Sequence, residues 1–507
     1  MKKGLGLMIN ALNQEHLKHP KFPIRGKDFL YAVLIALISA VFIDYLASSI
    51  LGAILCIILG ICIIWISFRN FRKAIDLFLF VVLLSPVFPR KLIDLRASAE
   101  EVVFNSFTAF NVFGISIVIW VIVGLLLVAL AKSKFSFPRS HHILVRVFKF
   151  KITLIACMYI ATFIGLFLGQ ELILKEFISD HRFFVMLIGG IFVSAFYVKD
   201  DVEDVEIKLT KLLLIVALSI GIRSIFFFLK DRAVGELNID FSSLPFFMFP
   251  VAFAALQTYK NSINLVLVVI VFFLGAFSIG RLEFVLGIFL GFLFIAQNII
   301  KRDVLKSLRI IVVLGVIAII AAVSIYSNKR VLDFIIFKAS TTVELFADEG
   351  AISKSPKVRL DEMKSIFMEE SENLLPLIIG KGFGSSYAFQ YDAGSFDLDE
   401  SDYSERELKS GRFYRPHTFI AYTFLKGGVL YFAFYMYLLF SMWLASWRQQ
   451  SGSFGDSFMS NFGLYYTVFA INMYWQGQQV FMFGFFLLLI LLRNPKSIKM
   501  AEHNECL

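Results

Sequence analysis

Apolar runs long enough to cross a bilayer recur from one end of this chain to the other, and nothing constrains its fold more. A helix needs about 18–20 such residues to cross a hydrocarbon layer of roughly 30 Å. Within lipid, every backbone amide and carbonyl must find its partner inside the protein, so spans of this kind are helices and not strands. Composition agrees: of 507 residues, 58% are hydrophobic, 17% are charged and 59 are phenylalanine, with a mean hydropathy of +0.77. A soluble domain of that balance would lack the polar material to cover its surface. The expected fold class is all-α: a polytopic integral membrane protein with about 12–14 transmembrane helices and one large extracytoplasmic helical loop.

Spans are expected near 30–47, 49–67, 75–88, 104–131, 152–168, 183–198, 212–229, 241–258, 262–280, 282–299, 307–326, 418–445, 458–474 and 479–492. The stretch 75–88 is short and broken by Pro86, and the pair around Arg281 also reads as one interrupted element. Lys and Arg in the short loops set the orientation through the positive-inside rule. With the N-terminus in the cytoplasm, the inner set holds Lys2, Lys3, Lys18, Lys21, Arg25 and Lys27, then Arg69, Arg72 and Lys73. It continues through the 132–151 loop, Lys301 to Arg309, and Arg493, Lys496 and Lys499. The short outer loops carry far fewer cations, among them Arg90, Lys91, Arg96, Lys175, Arg182, Lys230 and Arg232.

That asymmetry divides the chain into a cytoplasmic arm (1–29), a helix bundle (30–327), an extracytoplasmic loop (328–416), C-terminal helices (417–493) and a cytoplasmic tail (494–507). A multi-pass plasma-membrane protein with both termini in the cytoplasm is expected. The net charge of +10 reads as a topology signal, with basic inner loops against anionic headgroups; nucleic acid is not an expected partner. Met1–Lys27 is polar and basic and the first span exceeds a signal h-region, so no cleaved leader is expected. Of four cysteines, Cys56, Cys62 and Cys157 fall in spans and Cys506 in the tail. None lies in 328–416, so no disulfide framework is expected there, and no Cys/His spacing suggests zinc. Neither a metal nor a cofactor is expected.

The chemistry concentrates in the polar segment from Asn328 to Pro416, which ends in Arg412-Phe413-Tyr414-Arg415-Pro416-His417 against the next apolar span. This places a titratable imidazole and fixed cations where lipid meets water. Ser355 and Pro356 open an expected amphipathic helix, with an apolar stripe at Val358, Met363, Ile366 and Phe367 and with Arg359 among them. A glycine-rich turn follows at Gly380-Lys381-Gly382-Phe383-Gly384, then an acidic run from Asp392 to Glu407. The turn lacks the Lys-Ser/Thr step of a nucleotide loop.

In order, spacing and sidedness these elements resemble the O-antigen ligase and O-antigen polymerase family of bacterial surface-polysaccharide assembly. Three features carry the resemblance over roughly 270–440: Arg281 at the outer end of a span, Arg359 followed by the glycine turn, and His417 opening a span that contains Gly427-Gly428. The chain departs from the family at Thr418, where asparagine is frequent, and at Gly280 and Leu282 beside the arginine. The resemblance implies a metal-independent glycosyltransferase that moves a polyprenyl-diphosphate-linked glycan to a sugar hydroxyl on a glycan or lipid-linked acceptor at the outer membrane face. Its partners are then that donor, that acceptor and membrane lipids.

The residues suit this chemistry in their own right. A departing diphosphate gathers negative charge, which guanidinium forks stabilise through bidentate hydrogen bonds. A sugar hydroxyl needs a base, and histidine titrates ordinarily near neutrality. Arg281 and Arg359 are therefore assigned to the diphosphate, His417 to deprotonating the acceptor, and Arg412 and Arg415 to secondary contacts. Polymerase and ligase share the donor and differ in acceptor; the span count and acidic insert favour polymerase.

Plainer readings stand beside these. Arg281 pairs with Glu283 or snorkels; Arg359 forms a local ion pair with Glu362; His417 is an interfacial histidine; Arg412 and Arg415 answer the acidic insert or lipid phosphates. Arg223 reads as lining a cavity, Lys426 as packing or glycan contact, and His141-His142 as a solvated inner loop. A lipid-linked oligosaccharide flippase or transporter would spread charges over several spans with repeat symmetry. A non-catalytic assembly protein would tolerate loss of His417.

Overall fold

The computed structural model describes residues 22–47, 49–85, 106–108, 110–113, 115–133, 141–167, 173–198, 202–234, 245–259, 281–300, 308, 315, 354–389, 403, 405–450, 457–471 and 477–492. Helix α1 (Gly26–Val41) runs into one π-helical turn, Phe42–Leu46. Ser49 then caps α2 (Ile50–Arg69), its hydroxyl accepting from Gly52 N at 3.2 Å, and Asn70 caps α3 (Phe71–Leu84) through Lys73 N at 3.0 Å. A hairpin of two short strands, β1 (Asn111–Val112) and β2 (Ile115–Ser116), precedes α4 (Ile117–Lys132). The bundle continues with α5 (His141–Phe167), α6 (Leu174–Val198), α7 (Val202–Val234), α8 (Pro245–Thr258) and α9 (Arg281–Ile300). The polar segment supplies α10 (Lys354–Ser371), α11 (Leu374–Ile379) and α12 (Glu405–Ser410). Three apolar helices follow: α13 (Phe419–Gln450), α14 (Phe458–Ala470) and α15 (Gly477–Leu492).

Among the described residues, five helices are long and apolar enough to cross a membrane: Gly26–Leu46, Ile50–Arg69, Leu174–Val198, Val205–Phe227 and Phe419–Gln449. Shorter apolar helices lie at Ile117–Lys132, Lys151–Phe167, Phe247–Thr258, Phe289–Ile300 and Gln478–Leu492. The chain is accordingly an all-α membrane protein. The expected spans at 262–280 and 307–326 fall outside the described residues, apart from Leu308 and Gly315.

Two expectations change. The span read as 104–131 is helical only from Ile117; before it the chain turns through the hairpin, with Phe113 at φ 53. Sheer apolarity misled there, because a strand pair and a helix are equally rich in Ile and Val. His141 and His142 begin α5 and do not lie in an extended loop.

The core is built by close approach of helices at small residues. On α6, Gly190 lies against the Phe481 carbonyl of α15, and Gly484 of α15 lies against the Leu187 carbonyl, so a Cβ at either position would overlap backbone. Backbones that meet this closely maximise dispersion contact where lipid gives no hydrophobic drive. Buried amide and hydroxyl pairs link the neighbouring helices: Asn461 Nδ2 donates to Thr258 Oγ1 at 3.0 Å and Gln449 Nε2 to Ile490 O at 2.8 Å. Arg223, fully buried, donates from Nη1 to Leu84 O at 2.8 Å. It therefore caps the last turn of α3, which supplies a structural use for a charge inside a span.

Two features set the polar region against this bundle. Helix α13 breaks at Gly428 (φ 57, ψ −155), and α11 docks into the break. Helix α10 packs on α13 with a face unlike the expected one. Val358 and Ile366 turn inward, together with Asp361, Glu362 and Ser365, whereas Met363 and Phe367 are exposed. The stripe read from the sequence mixed residues of opposite faces.

Candidate functional site

His417 occupies the residue before the cap of α13. Thr418 serves as the cap: its Oγ1 accepts from Ala421 N at 3.2 Å, and its carbonyl accepts from Tyr422 N at 3.0 Å. Asparagine and threonine both cap helices well, so the departure at 418 preserves the local geometry. Pro416 restricts Arg415 to extended backbone and carries the chain into the cap at a fixed angle.

The partner of His417 comes from α10, 55 residues earlier. Glu362, completely buried, accepts from His417 Nδ1 at 2.8 Å through Oε1 and from the His417 backbone N–H at 3.0 Å through Oε2. Tyr387 and Tyr403 donate their hydroxyls to the same Oε1 at 2.6 and 2.8 Å. Burial first, and the adjacent Glu362 second, push the Tyr387 phenol up, which keeps it a donor. An ionised carboxylate only accepts, so with Glu362 in that form Nδ1 carries a proton and Nε2 is the basic nitrogen. The Tyr403 ring stands perpendicular to the imidazole at 5.0 Å between centroids and fixes its plane. The His417 side chain is 20% exposed whereas Glu362 is wholly enclosed.

The strand-like bridge between Tyr387 and Phe413, with reciprocal N–H to carbonyl bonds of 2.9 Å, ties the glycine turn to the residues before His417. The turn itself is pinned on three sides. Lys381 N donates to Leu425 O at 2.9 Å and Gly382 N to Lys426 O at 3.1 Å. The kink at Gly428 interrupts the helical pattern that would otherwise use those carbonyls, so turn and kink satisfy each other. Phe383 N donates to Thr162 Oγ1 of α5 and Gly384 N to Asp180 Oδ2 of α6, both at 2.7 Å. Gly380, at φ 71, and Gly428 lie backbone to backbone, and a side chain on either would overlap the other segment. With its amides spent in this way, the turn is not an anion cradle.

Beneath it lies a second buried charge pair. Lys426 Nζ sits 3.0 Å from Asp180 Oδ2 and donates to Ser385 O at 2.7 Å, while Tyr422 donates to Asp180 Oδ1 at 2.9 Å. Both Lys426 and Asp180 are enclosed, so neither reaches a glycan.

The sequence-derived residues fall as follows. His417 and the helix bearing Arg359 are brought together. Arg359 lies one turn before Glu362 and is half-buried, and its Nε has no hydrogen-bond partner among the described residues. The local ion pair with Glu362 does not form, because the Glu362 oxygens are taken by the histidine and tyrosines. Arg281 begins α9, and its side chain lies outside the described residues. Arg412 pairs with Glu369 at 3.3 Å, and Arg415 pairs with Glu176 at 2.8 Å and also donates to Ser179 Oγ at 3.1 Å. They answer carboxylates of α10 and α6; of the expected acidic run from Asp392 to Glu407, the part from 392 to 402 lies outside the described residues, and Glu407 Oε1 accepts from Tyr414 N at 3.0 Å.

Sequence reading missed Glu362 as the partner of His417, together with Tyr387, Tyr403 and Asp180. The signal available was an Asp361-Glu362 pair on the inward face of α10, legible only once the facing direction is known. In comparisons with known proteins, no family model matches this chain and no curated protein matches it.

Proposed function

We propose that this membrane protein is a glycosyltransferase of the O-antigen polymerase or ligase kind, acting on a polyprenyl-diphosphate-linked glycan at the extracytoplasmic boundary of the bacterial plasma membrane. One observation supports the reading: a histidine at the mouth of a span, held through Nδ1 by a buried glutamate. In this reading Nε2 takes the proton of the acceptor hydroxyl as the oxygen bonds to the anomeric carbon of the donor. The bond from that carbon to the diphosphate breaks with its electron pair on the leaving oxygen, and the configuration inverts. Arg359 and Arg281 hold the departing diphosphate, their guanidinium groups supplying the counter-charge for the leaving oxygen.

Glu362 is a positioning residue, as are Tyr387 and Tyr403. Arg412 and Arg415 act through structure, holding the 407–417 segment against α10 and α6. The polar chemistry gathers at one rim of the bundle, which suits a transferase better than a transporter. Polymerase is favoured over ligase on the size of the span set and the acidic insert.

The test is the glycolipid profile of cells carrying His417→Ala at normal protein level. Loss of polymer, with single repeats accumulating, supports a polymerase; intact long chains left on the carrier indicate a ligase. An unchanged profile removes the catalytic reading.

A further inference from the structure

Helix α10 is amphipathic in a sense opposite to that of a helix packed on a soluble core. Its inward face carries Asp361, Glu362, Ser365 and Glu370, all buried. Its outward face carries Leu360, Met363, Phe367 and Met368, spaced at i, i+3, i+7 and i+8, and each is exposed. The next helix continues the pattern: on α11, Leu374 is 72% exposed, and Leu375 and Ile378 are also open. Lys364 on α10 and Ser371, Glu372 and Asn373 between the two helices are also exposed, and an apolar face with a polar rim of this kind marks a surface that is covered by something.

We infer that the outward face of α10 and α11 is seated in the lipid bilayer, at the boundary between headgroups and acyl chains, and that these helices lie along the membrane plane. Continuity identifies the occupant as lipid and not a protein. Gly428 of α13 sits directly against Leu377 and Ile378 of α11. Just past that kink, Val429 and Leu430 are exposed, and the same helix goes on to expose Met436, Tyr437 and Phe440. Helix α13 is among those long and apolar enough to span, so its outward side chains face acyl chains. The exposed apolar side chains of α11 adjoin that surface.

A helix lying in the interface buries its apolar face by roughly 5–10 Å and keeps its polar face toward water or protein. Here the polar face is turned onto α13, where it holds His417. The depth of the imidazole relative to the bilayer is thus set by Phe367 and Leu374 on the other side of the same helices. The inference does not depend on the transferase reading, because its measurement is a depth and not an activity.

The experiment places a nitroxide at Phe367→Cys, and separately at Leu374→Cys, in full-length protein whose four native cysteines are replaced by alanine, reconstituted in phosphatidylethanolamine–phosphatidylglycerol nanodiscs. Collision with oxygen, which concentrates in lipid, is compared with collision with a water-soluble nickel chelate. A label at Phe440→Cys gives the lipid reference and one at Lys409→Cys the aqueous reference. Both test labels are expected to match the Phe440 label in favouring oxygen, by several-fold over the Lys409 label. Preference for the nickel chelate at both positions overturns the inference. So does shielding from both reagents, which would mean that protein or a second copy covers the face. Should Phe367→Cys fail to accumulate, Leu375→Cys provides the second position.

Discussion

The two carboxylates buried against a basic side chain at this end of the bundle, Asp180 beside Lys426 and Glu362 beside His417, use the same elements of chemistry and differ in one respect. Asp180–Lys426 is sealed: both side chains are enclosed, and the oxygens of Asp180 meet a lysine, a tyrosine hydroxyl and a backbone amide. Glu362–His417 is sealed on the glutamate side only, and the imidazole reaches the surface. A closed pair holds three segments together. A pair with an open end can exchange a proton with something outside the protein, and the difference separates scaffold from chemistry.

Four measurements break or sharpen that contrast. His417→Ala is expected to lower the transfer rate by about 10²–10⁴-fold, the usual worth of a positioned base, while thermal stability stays within a degree or two. A large loss of stability would instead place His417 with the scaffold. Lys426→Met is expected to do the reverse. Stranding Asp180 without its cation costs about 3–5 kcal/mol, seen as lost protein level and a lower Tm, and adding Asp180→Asn restores part of it. Full stability in the single variant would contradict a clamp. Glu362→Gln comes third: roughly a 10–100-fold fall in kcat with KM little changed, since the amide loses control of which imidazole nitrogen carries the proton. Equal falls in rate and in folded protein would make Glu362 structural only.

The smallest effect concerns a third carboxylate, which lacks what both pairs have. Glu370 is fully buried, and neither of its oxygens has a hydrogen-bond partner among the described residues. Burial pushes its carboxyl up from 4.5 to about 9, with Lys381 pulling it down and Glu369 adding to the rise. Because the folded value is raised, the unfolded chain releases this proton first. Stability is therefore fullest below pH 4.5 and declines as pH climbs toward 9. Glu370→Gln is expected to flatten that slope and to raise Tm by a few degrees at pH 8 with no change at pH 4.5. A lower Tm at pH 8 would show that the carboxylate is ionised and paired.

Much of the scaffold was legible because lipid leaves so few options. Length and apolarity alone locate α1, α2, α6, α7 and α13. His417 was legible from its place between a proline and an apolar run, and the glycine turn and the paired glycines were both noticed. Their meeting was not, because a kink that frees Leu425 O and Lys426 O is a tertiary event without a local signature. Glu362 was read as the neighbour of Arg359, since i,i+3 spacing is visible in sequence and a contact across 55 residues is not. The apolar stripe expected on α10 joined residues of its two faces for a related reason. Helical periodicity separates two faces and does not say which one meets protein when the solvent is itself apolar.

The hydrogen bonds joining 381–382 to 425–426 also have a consequence for how the protein is made. The glycine turn leaves the ribosome some 45 residues before the carbonyls it requires. The amides of Lys381 and Gly382 lack these partners until the following hydrophobic helix has been threaded into the membrane and bent. Completion of the external segment thus waits on insertion of α13, and a chain ending before Phe419 would display that segment with nothing to close it.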